Sequence, residues 1–182
     1  MTVTLYKWTI DRYHDAIDAG LFNEEPVELL QGDIVIMPPE REAHACYSSD
    51  AAEYLRRLLG NRASIRETKP VTFPYNSEPV PDIAIVKPPL RAYLKHHPYP
   101  ADIFWLIEYS NTTLAKDLGK KKQIYAAAGI QEYWVSDLKN SQLKVFRDEL
   151  QGDYQTELTL RDGIISPLSF PDVAIAVRQI RC

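Results

Sequence analysis

The sequence is poor in the features that mark secreted and membrane proteins. It has two cysteines, Cys46 and Cys182, whose separation matches no zinc-binding pattern, and we expect reduced thiols in a cytoplasmic protein. No stretch approaches the ~20 consecutive apolar residues that span a bilayer. The first residues lack the basic start and long apolar segment of a signal peptide. These absences argue against a disulfide-stabilised secreted domain and against a membrane partner.

Motifs of several common enzyme classes are missing as well. The chain contains no Gly-x-Ser-x-Gly elbow, Walker A loop or Rossmann fingerprint, so a nucleophilic hydrolase has little support. Positive charge is not in excess, because 21 Lys and Arg oppose 25 Asp and Glu, for a net charge of −4. High-affinity DNA-binding proteins are usually basic, so this balance counts modestly against a nucleic-acid role. Four lysines nevertheless cluster within seven residues, as a phosphate-binding patch or a solvated face: Lys116, Lys120, Lys121 and Lys122.

The predicted elements follow one another in the order of a mixed α/β domain. Residue patterns predict helices over residues 8–20, 41–60 and 117–128, with Asp11 able to cap the first and a glycine at or just beyond the end of each. We expect a hairpin over residues 26–38, then strands over residues 63–73, 82–86, 102–109, 131–137, 142–147, 154–160 and 164–166. Pro70 indicates an edge position or a break in its strand, and four prolines predict a loop over residues 87–101. No repeat or linker divides the chain, so we expect one domain over residues 1–182.

Three charged residues in the middle third of the chain carry the functional hypothesis. Asp82 follows a proline at the start of one apolar run, and Glu108 closes the next. If these two strands pair antiparallel, both carboxylates reach one end of the sheet despite the 26 positions (108 − 82) between them. Lys121 follows in the third predicted helix, one turn from both Asp117 and Tyr125.

Such a site has the composition that metal-dependent phosphodiester hydrolysis requires. Carboxylate oxygens select Mg²⁺ or Mn²⁺, which activate water and neutralise charge on a phosphorane. Asp82 and Glu108 would be the metal ligands, and Lys121 would orient or deprotonate the water or stabilise the transition state. Taken singly, a strand-start cap, a water-facing carboxylate and an exposed helix lysine are the commoner interpretations. The prediction therefore depends on the combination.

Short motifs around these residues extend over most of the chain. They are Glu28-Leu-Leu-Gln-Gly32, Pro81-Asp82, Glu108-Tyr-Ser110 with Thr113, Asp117 with Lys121 and Tyr125, and Gly129-Ile-Gln-Glu132-Tyr-Trp134. Between about residues 25 and 148, the chain resembles the Uma2 family (DUF820) of the PD-(D/E)xK nuclease superfamily. The resemblance implies a restriction-endonuclease-like core, with a central mixed or antiparallel sheet flanked by helices. It also implies Mg²⁺ or Mn²⁺ as cofactor, DNA as substrate and a homodimer.

The resemblance also bears on the choice of lysine and on a further acid. The superfamily's usual lysine stands two residues after the acid, where this chain has Ser110. In the Uma2 branch the lysine lies on the following helix, and Lys121 fits, with Lys120 and Lys122 as alternatives. Glu28 becomes an accessory acid near the metal, although a solvent-facing strand residue is an equal interpretation.

Two functions stay open at this point. The leading one is a Mg²⁺-dependent endonuclease that hydrolyses phosphodiester bonds in DNA. The alternative is a non-catalytic module that keeps the nuclease fold and binds nucleic acid or protein. His44 could approach a substrate, although a surface or core histidine is the favoured interpretation. Tyr125, Tyr133 and Trp134 are expected to pack in the core.

Overall fold

The computed structural model describes residues 4–181. Besides short 3-10 turns, its helical segments are α1 (Ile10–Asp18), α2 (Glu42–Leu59), α3 (Leu114–Lys116), a π-helical turn (Asp117–Lys121) and α4 (Lys122–Ala127). Its strands are β1 (Val27–Leu30), β2 (Asp33–Ile36), β3 (Ser64–Glu67), β4 (Ile83–Val86), β5 (Ile103–Ser110), β6 (Glu132–Asp137), β7 (Gln142–Leu150), β8 (Asp153–Leu160), β9 (Ile164–Ile165) and β10 (Ile175–Ala176). Across residues 4–181, every helix falls short of the length and apolar character that a bilayer crossing needs. Cys46 is a free, exposed thiol, and the prediction for Cys182 lies outside the described residues.

The main sheet has six strands in the order β3-β4-β5-β6-β7-β8. All neighbouring pairs are antiparallel except β5 and β6, which run parallel. A parallel pair needs a long crossover connection, and the helical segment from α3 to α4 supplies it. Two small antiparallel pairs, β1–β2 and β9–β10, complete the strands. The predicted mixed α/β class with flanking helices is confirmed.

Apolar layers cover both faces of this sheet, which is why its central strands read as continuous apolar runs. All four residues of β4 and all six of β6 are buried. One face packs against α2 and the segment after β8, through residues that include Leu55, Leu59, Phe170, Val173 and Ile180. The other packs against α4 and the β1–β2 hairpin, through residues that include Leu30, Val35, Ile124, Tyr125 and Ala126.

Several predicted boundaries were wrong for identifiable reasons. The strand predicted over residues 63–73 ends at Glu67, because Thr68 has a positive φ of 48° and donates its backbone N–H to the Asp82 carbonyl instead of continuing the ladder. Thr9 caps α1 by accepting from the Arg12 N–H, so Asp11 is a first-turn residue and not the cap. The third helix starts at residue 114 instead of 117, β7 extends to residue 150, and the two-residue β10 was missed.

Candidate active site

Asp82 and Glu108 face each other across β4 and β5. These strands pair antiparallel with Ile83 opposite Ile107, so one further step of the register sets Asp82 against Glu108. Directly opposed residues of an antiparallel pair project to the same side of the sheet. The Tyr109 N–H also donates to Asp82 Oδ2 at 2.6 Å. The antiparallel pairing of these two strands, which the sequence predicted, is therefore observed, and the two carboxylates lie at one end of the sheet.

Lys121 joins these carboxylates from the helical crossover. Its Nζ lies 2.9 Å from Glu108 Oε1, 3.3 Å from Glu28 Oε2 and 3.3 Å from the Val80 carbonyl oxygen. The side chain is buried, with 3% of its surface exposed, instead of solvated as an isolated helix lysine would be. Lys121, which the sequence favoured over its two neighbouring lysines, is therefore the lysine that contacts Glu108.

The two alternative lysines point elsewhere. Lys120 donates to Asp33 at 2.8 Å, and the Lys122 Nζ lies 4.7 Å from the ring centroid of Phe146. Neither contact involves the carboxylates at the end of β4 and β5. The difference follows from helical geometry, since consecutive residues of a helix project in different directions.

Glu28, the predicted accessory acid, is fully buried instead of facing solvent. It lies on β1, where Oε1 accepts from Lys116 Nζ at 2.9 Å and Oε2 accepts from the Val80 N–H at 3.2 Å. Burial alone would raise the pKa of Glu28, but Lys121 and Lys116 outweigh it and hold this pKa below its usual value. Glu28 is therefore placed as an anion between two ammonium groups.

The helical crossover and the end of β5 bring in side chains that were not predicted to belong to the site. The Tyr125 hydroxyl, expected only to pack, donates to Glu108 Oε1 at 2.6 Å. Ser110 donates to Asp117 Oδ2 at 2.6 Å, and both side chains are buried. Asp117, Lys121 and Tyr125 follow one another at intervals of four residues. This spacing was the sequence pattern that could have placed all three at the site. π-Helical turns occur frequently at functional sites, and this one directs both Asp117 and Lys121 inward.

His44 also contacts the site, although the sequence favoured a histidine without a role there. It lies in the first turn of α2, and its Nε2 is 3.0 Å from Asp82 Oδ1 and 3.4 Å from Glu40 Oε1. Partial burial lowers the pKa of His44, but the carboxylates of Asp82 and Glu40 outweigh that effect and raise this pKa above its ordinary value. The favoured interpretation, a surface or core histidine, overlooked this contact because 38 positions (82 − 44) separate the two residues.

Negative charge exceeds positive charge around this cluster. Burial raises the pKa of Glu108 above its ordinary value, Lys121 opposes that effect, and Asp82 and Asp117 add to it. Burial favours the neutral amine of Lys121, but Glu108 and Glu28 outweigh it and raise the pKa of Lys121 above its ordinary value. The lysine is therefore an ammonium ion, and the carboxylates around it retain capacity for a further cation.

A cleft of about 660 Å³ opens over the cluster. Glu28, Asp82, Glu108 and Lys121 line it, together with the start of α2 and the segment after β5. Asp82 and Glu108 offer hard oxygen donors of the kind that Mg²⁺ and Mn²⁺ prefer. Within residues 4–181, the hydrogen bonds that Lys121 and Tyr125 donate to Glu108 both use Oε1, so Oε2 could serve as a ligand. The donor set and the charge balance therefore fit a divalent cation.

Comparison with known proteins agrees with this fold. The chain is similar to a solved structure described as a putative nuclease belonging to DUF820 from Anabaena variabilis ATCC 29413, with 17% sequence identity and a TM-score of 0.70. The alignment covers 86% of this chain and 90% of that one, which shows a shared fold. No curated protein matches the chain. The model of the Uma2 family, described as "Putative restriction endonuclease", matches residues 10–178. The chain therefore belongs to the Uma2 family.

Proposed function

We propose that this protein is a Mg²⁺-dependent endonuclease, also active with Mn²⁺, that hydrolyses phosphodiester bonds in DNA. The observation that carries the proposal is the convergence of Asp82, Glu108 and the buried ammonium of Lys121 at the floor of an open cleft. Membership of a family described as restriction endonucleases supports the reaction class. The DNA substrate, the metal and the residue roles are the parts that experiments must establish.

Asp82 and Glu108 would hold the cation. Four carboxylates, from Glu28, Asp82, Glu108 and Asp117, surround the ammonium of Lys121 closely enough to alter its pKa. A divalent ion offsets such an excess of negative charge, and when bound it lowers the pKa of a coordinated water and neutralises charge on the phosphoryl group. Glu28 would act as an accessory acid that holds Lys116 and Lys121 in place.

The contacts of Lys121 favour one of the roles that the sequence left open. Its ammonium donates to Glu108 and to the Val80 carbonyl oxygen, and it pairs with Glu28. A group held by three acceptors is placed to remain a cation, so we assign Lys121 to electrostatic stabilisation of the transition state. Tyr125 orients Glu108 through its hydroxyl hydrogen bond.

The start of α2 gives the cleft a place for substrate phosphate. Arg41 is the N-cap of this 18-residue helix and makes no side-chain capping hydrogen bond. Helix N-termini attract anions through free N–H groups and the helix dipole. Arg41 and Lys116, which also line the cleft, add positive charge. These local features support DNA binding despite the net charge of −4.

We also propose a cytoplasmic homodimer, because two copies of the site would cut both strands of a duplex.

Cleavage of supercoiled plasmid with Mg²⁺ or Mn²⁺ tests the proposal. Lys121→Met should lower the rate by about 10²- to 10³-fold, the scale for loss of one stabilising donor. Lys120→Met and Lys122→Met are matched controls from the same helical segment and should cleave at nearly the wild-type rate. A wild type that cleaves no DNA with either metal would contradict the proposal.

The net charge favours a second candidate, a non-catalytic module that uses the nuclease fold for binding. This candidate predicts that DNA or protein binding survives the triple change Asp82→Asn, Glu108→Gln and Lys121→Met, and that wild type cleaves nothing. The endonuclease proposal predicts cleavage by wild type and none by the triple variant. One plasmid assay with a parallel binding measurement separates the two.

A further inference from the structure

We propose that Arg66 and the basic loop (residues 87–101) bind the phosphate backbone of the DNA to one side of the scissile bond. The contacts are with phosphate, so they strengthen binding without reading the base sequence. The inference deepens the proposed function and rests on it, because DNA is taken as the substrate. It adds to the catalytic cluster a second face of the molecule that holds the same ligand.

Arg66 is a partly buried cation that, among residues 4–181, has no carboxylate partner. Its Nη1 is shielded from solvent and makes no hydrogen bond within the same residues, and its Nη2 lies 3.4 Å from His97 Nδ1. Arg147 is also partly buried, but it pairs with Glu132 at 2.7 Å. Burial lowers the pKa of Arg66, because no anion replaces the hydration that the guanidinium has lost. Such a cation is suited to an anionic ligand.

Two side chains of the basic loop hold this guanidinium in place. The Tyr93 ring lies beneath it, with 5.6 Å between the ring centroid and Arg66 Cζ, and the Tyr93 hydroxyl donates to the Lys87 carbonyl oxygen at 2.8 Å. A guanidinium only donates hydrogen bonds, so His97 Nδ1 accepts from Nη2 and the imidazole is neutral. Burial lowers the pKa of His97, Glu78 opposes that effect and Arg66 adds to it. Arg66 is therefore the charged group, and a guanidinium held on an aromatic ring is suited to phosphate.

The strand register places Arg66 on the same face of the sheet as the carboxylates of the proposed active site. Arg66 opposes Ala84, which opposes Leu106. Asp82 stands two residues before Ala84, so its side chain projects to the same face as that of Arg66. Glu108, two residues after Leu106, does likewise. Two steps along a strand and one between strands put the α-carbons of Arg66 and Asp82 roughly 8 Å apart. DNA advances about 3.4 Å per nucleotide, so Arg66 lies within reach of a phosphate a few nucleotides from the cut.

The basic loop extends this positive face. It contains Lys87, Arg91 and Lys95 but no Asp or Glu, although the whole chain has a net charge of −4. All three side chains belong to exposed residues, and none forms an ion pair within residues 4–181. Glu78 lies 4.0 Å from His97 Nε2, but it is only 2% exposed and is therefore shielded from a ligand on this face. The loop thus offers positive charge along which a phosphate backbone can lie.

An open depression connects the basic loop with the cleft. It has a volume of about 560 Å³ and is lined by His97, while Thr68 and Val80 line both the depression and the cleft. The surface is therefore continuous from the carboxylates to the basic loop. Arg66 could instead serve only to anchor the basic loop on the sheet. That structural role predicts normal DNA binding by any Arg66 variant that folds.

Fluorescence anisotropy with a short non-cleavable DNA duplex, in EDTA and again with Mn²⁺, tests the inference without any activity measurement. Arg66→Met should weaken binding about 10-fold and lower the slope of log affinity against log salt by about 0.9, the value of one phosphate contact. Arg91→Gln/Lys95→Gln changes only exposed residues and should lower the slope by about twice as much. Arg62→Met is the matched control, because Arg62 also lies over an aromatic ring but already pairs with Asp172 at 2.6 Å. It should bind as wild type does.

This inference and the proposed function fail in different ways. A folded Arg66→Met protein with the wild-type affinity and slope overturns the phosphate site, as do equal losses in Arg62→Met, while plasmid cleavage by wild type still upholds the endonuclease. If Arg66→Met does not fold, a wild-type slope in Arg91→Gln/Lys95→Gln overturns the inference. A wild type that binds no duplex in either buffer overturns it as well. Binding that depends on Arg66 in a protein that never cleaves DNA supports the phosphate site and contradicts the endonuclease.

Discussion

Lys121 and Glu108 form a buried ion pair, with 2.9 Å between the ammonium nitrogen and a carboxylate oxygen. Removing both charges from water is costly, and such a pair often stabilises a fold less than well-packed apolar residues would. The pair lies at the end of β5, under a cleft, instead of in the middle of a core layer. Under the proposed function, the pair serves metal binding and catalysis more than stability.

Removal of Lys121 should destabilise the protein even without substrate. In Lys121→Met the carboxylates of Glu108 and Glu28 lose a buried cation, a change that costs about 3–5 kcal/mol in comparable pairs. Urea unfolding at neutral pH measures this free energy. Lys122→Met, whose lysine lies over the Phe146 ring, should change it by about 1 kcal/mol or less. Equal losses in the two variants would contradict the assignment of Lys121 to the buried cluster.

Tyr125→Phe should weaken metal binding while keeping the fold. The hydroxyl that positions Glu108 is lost, and removal of such an outer contact typically lowers metal affinity by about 10- to 100-fold. Calorimetric titration with Mn²⁺ measures the effect. Tyr154→Phe is the matched control, because the buried Tyr154 hydroxyl makes no hydrogen bond within residues 4–181. If both variants bind Mn²⁺ as wild type does, Tyr125 is a packing residue.

Glu132 should prove structural although it belongs to the motif Gly129-Ile-Gln-Glu132-Tyr-Trp134. It accepts from Arg147 Nε at 2.7 Å, from Trp134 Nε1 at 2.8 Å and from the Leu168 N–H at 2.7 Å. Glu132→Gln should lower the unfolding free energy by about 3 kcal/mol, because the partly buried Arg147 loses the charge of its fully buried partner. Mn²⁺ affinity measured on the folded fraction should match wild type. A selective loss of Mn²⁺ binding would place Glu132 in the site.

Asp137 should make the stability depend on acid pH. Burial alone would raise its pKa, but hydrogen bonds from Asn140 and Gln142 outweigh it and lower this pKa below its usual value. A lowered folded-state pKa adds stability above the unfolded pKa of about 4, and that stability is lost as pH falls through the folded value. Asp137→Asn should therefore cost about 1–3 kcal/mol at pH 7, and progressively less as the pH falls below about 4.

Unfolding curves collected from pH 7 to pH 2 test this dependence. Asp50→Asn, at an exposed position of α2, is the control and should change stability little at any pH. An Asp137→Asn penalty that stays constant across this range would show that the carboxylate charge is unimportant.

The sequence predicted the family, the fold class and most of the central strands. Those strands were predictable because each is an apolar run bounded by turn residues, as at residues 82–86 and 131–137. The strand predicted over residues 63–73 failed at Thr68, where a bond to the Asp82 carbonyl overrides local alternation. Local propensity does not encode such a contact between distant segments.

The candidate site, like the fold, could be predicted only in part from the sequence. Asp82, Glu108 and Lys121 could be proposed because motif spacing brings them together, and Glu28 because of the family resemblance. The burial of Lys121, the hydroxyl contact of Tyr125 and the position of His44 depend on the π-helical turn and on how α2 packs on the sheet. Such tertiary relationships leave little signal in a single sequence.

Calorimetric titration of Mn²⁺ into wild type and into Asp82→Asn/Glu108→Gln, each with a short non-cleavable DNA duplex, tests the central claim most directly. DNA is included because its phosphate can complete the coordination of the ion. We predict that wild type binds Mn²⁺ and that the double variant, although folded, does not. Equal Mn²⁺ affinity in the two proteins, or no binding by wild type even with DNA, would contradict a metal site built on Asp82 and Glu108.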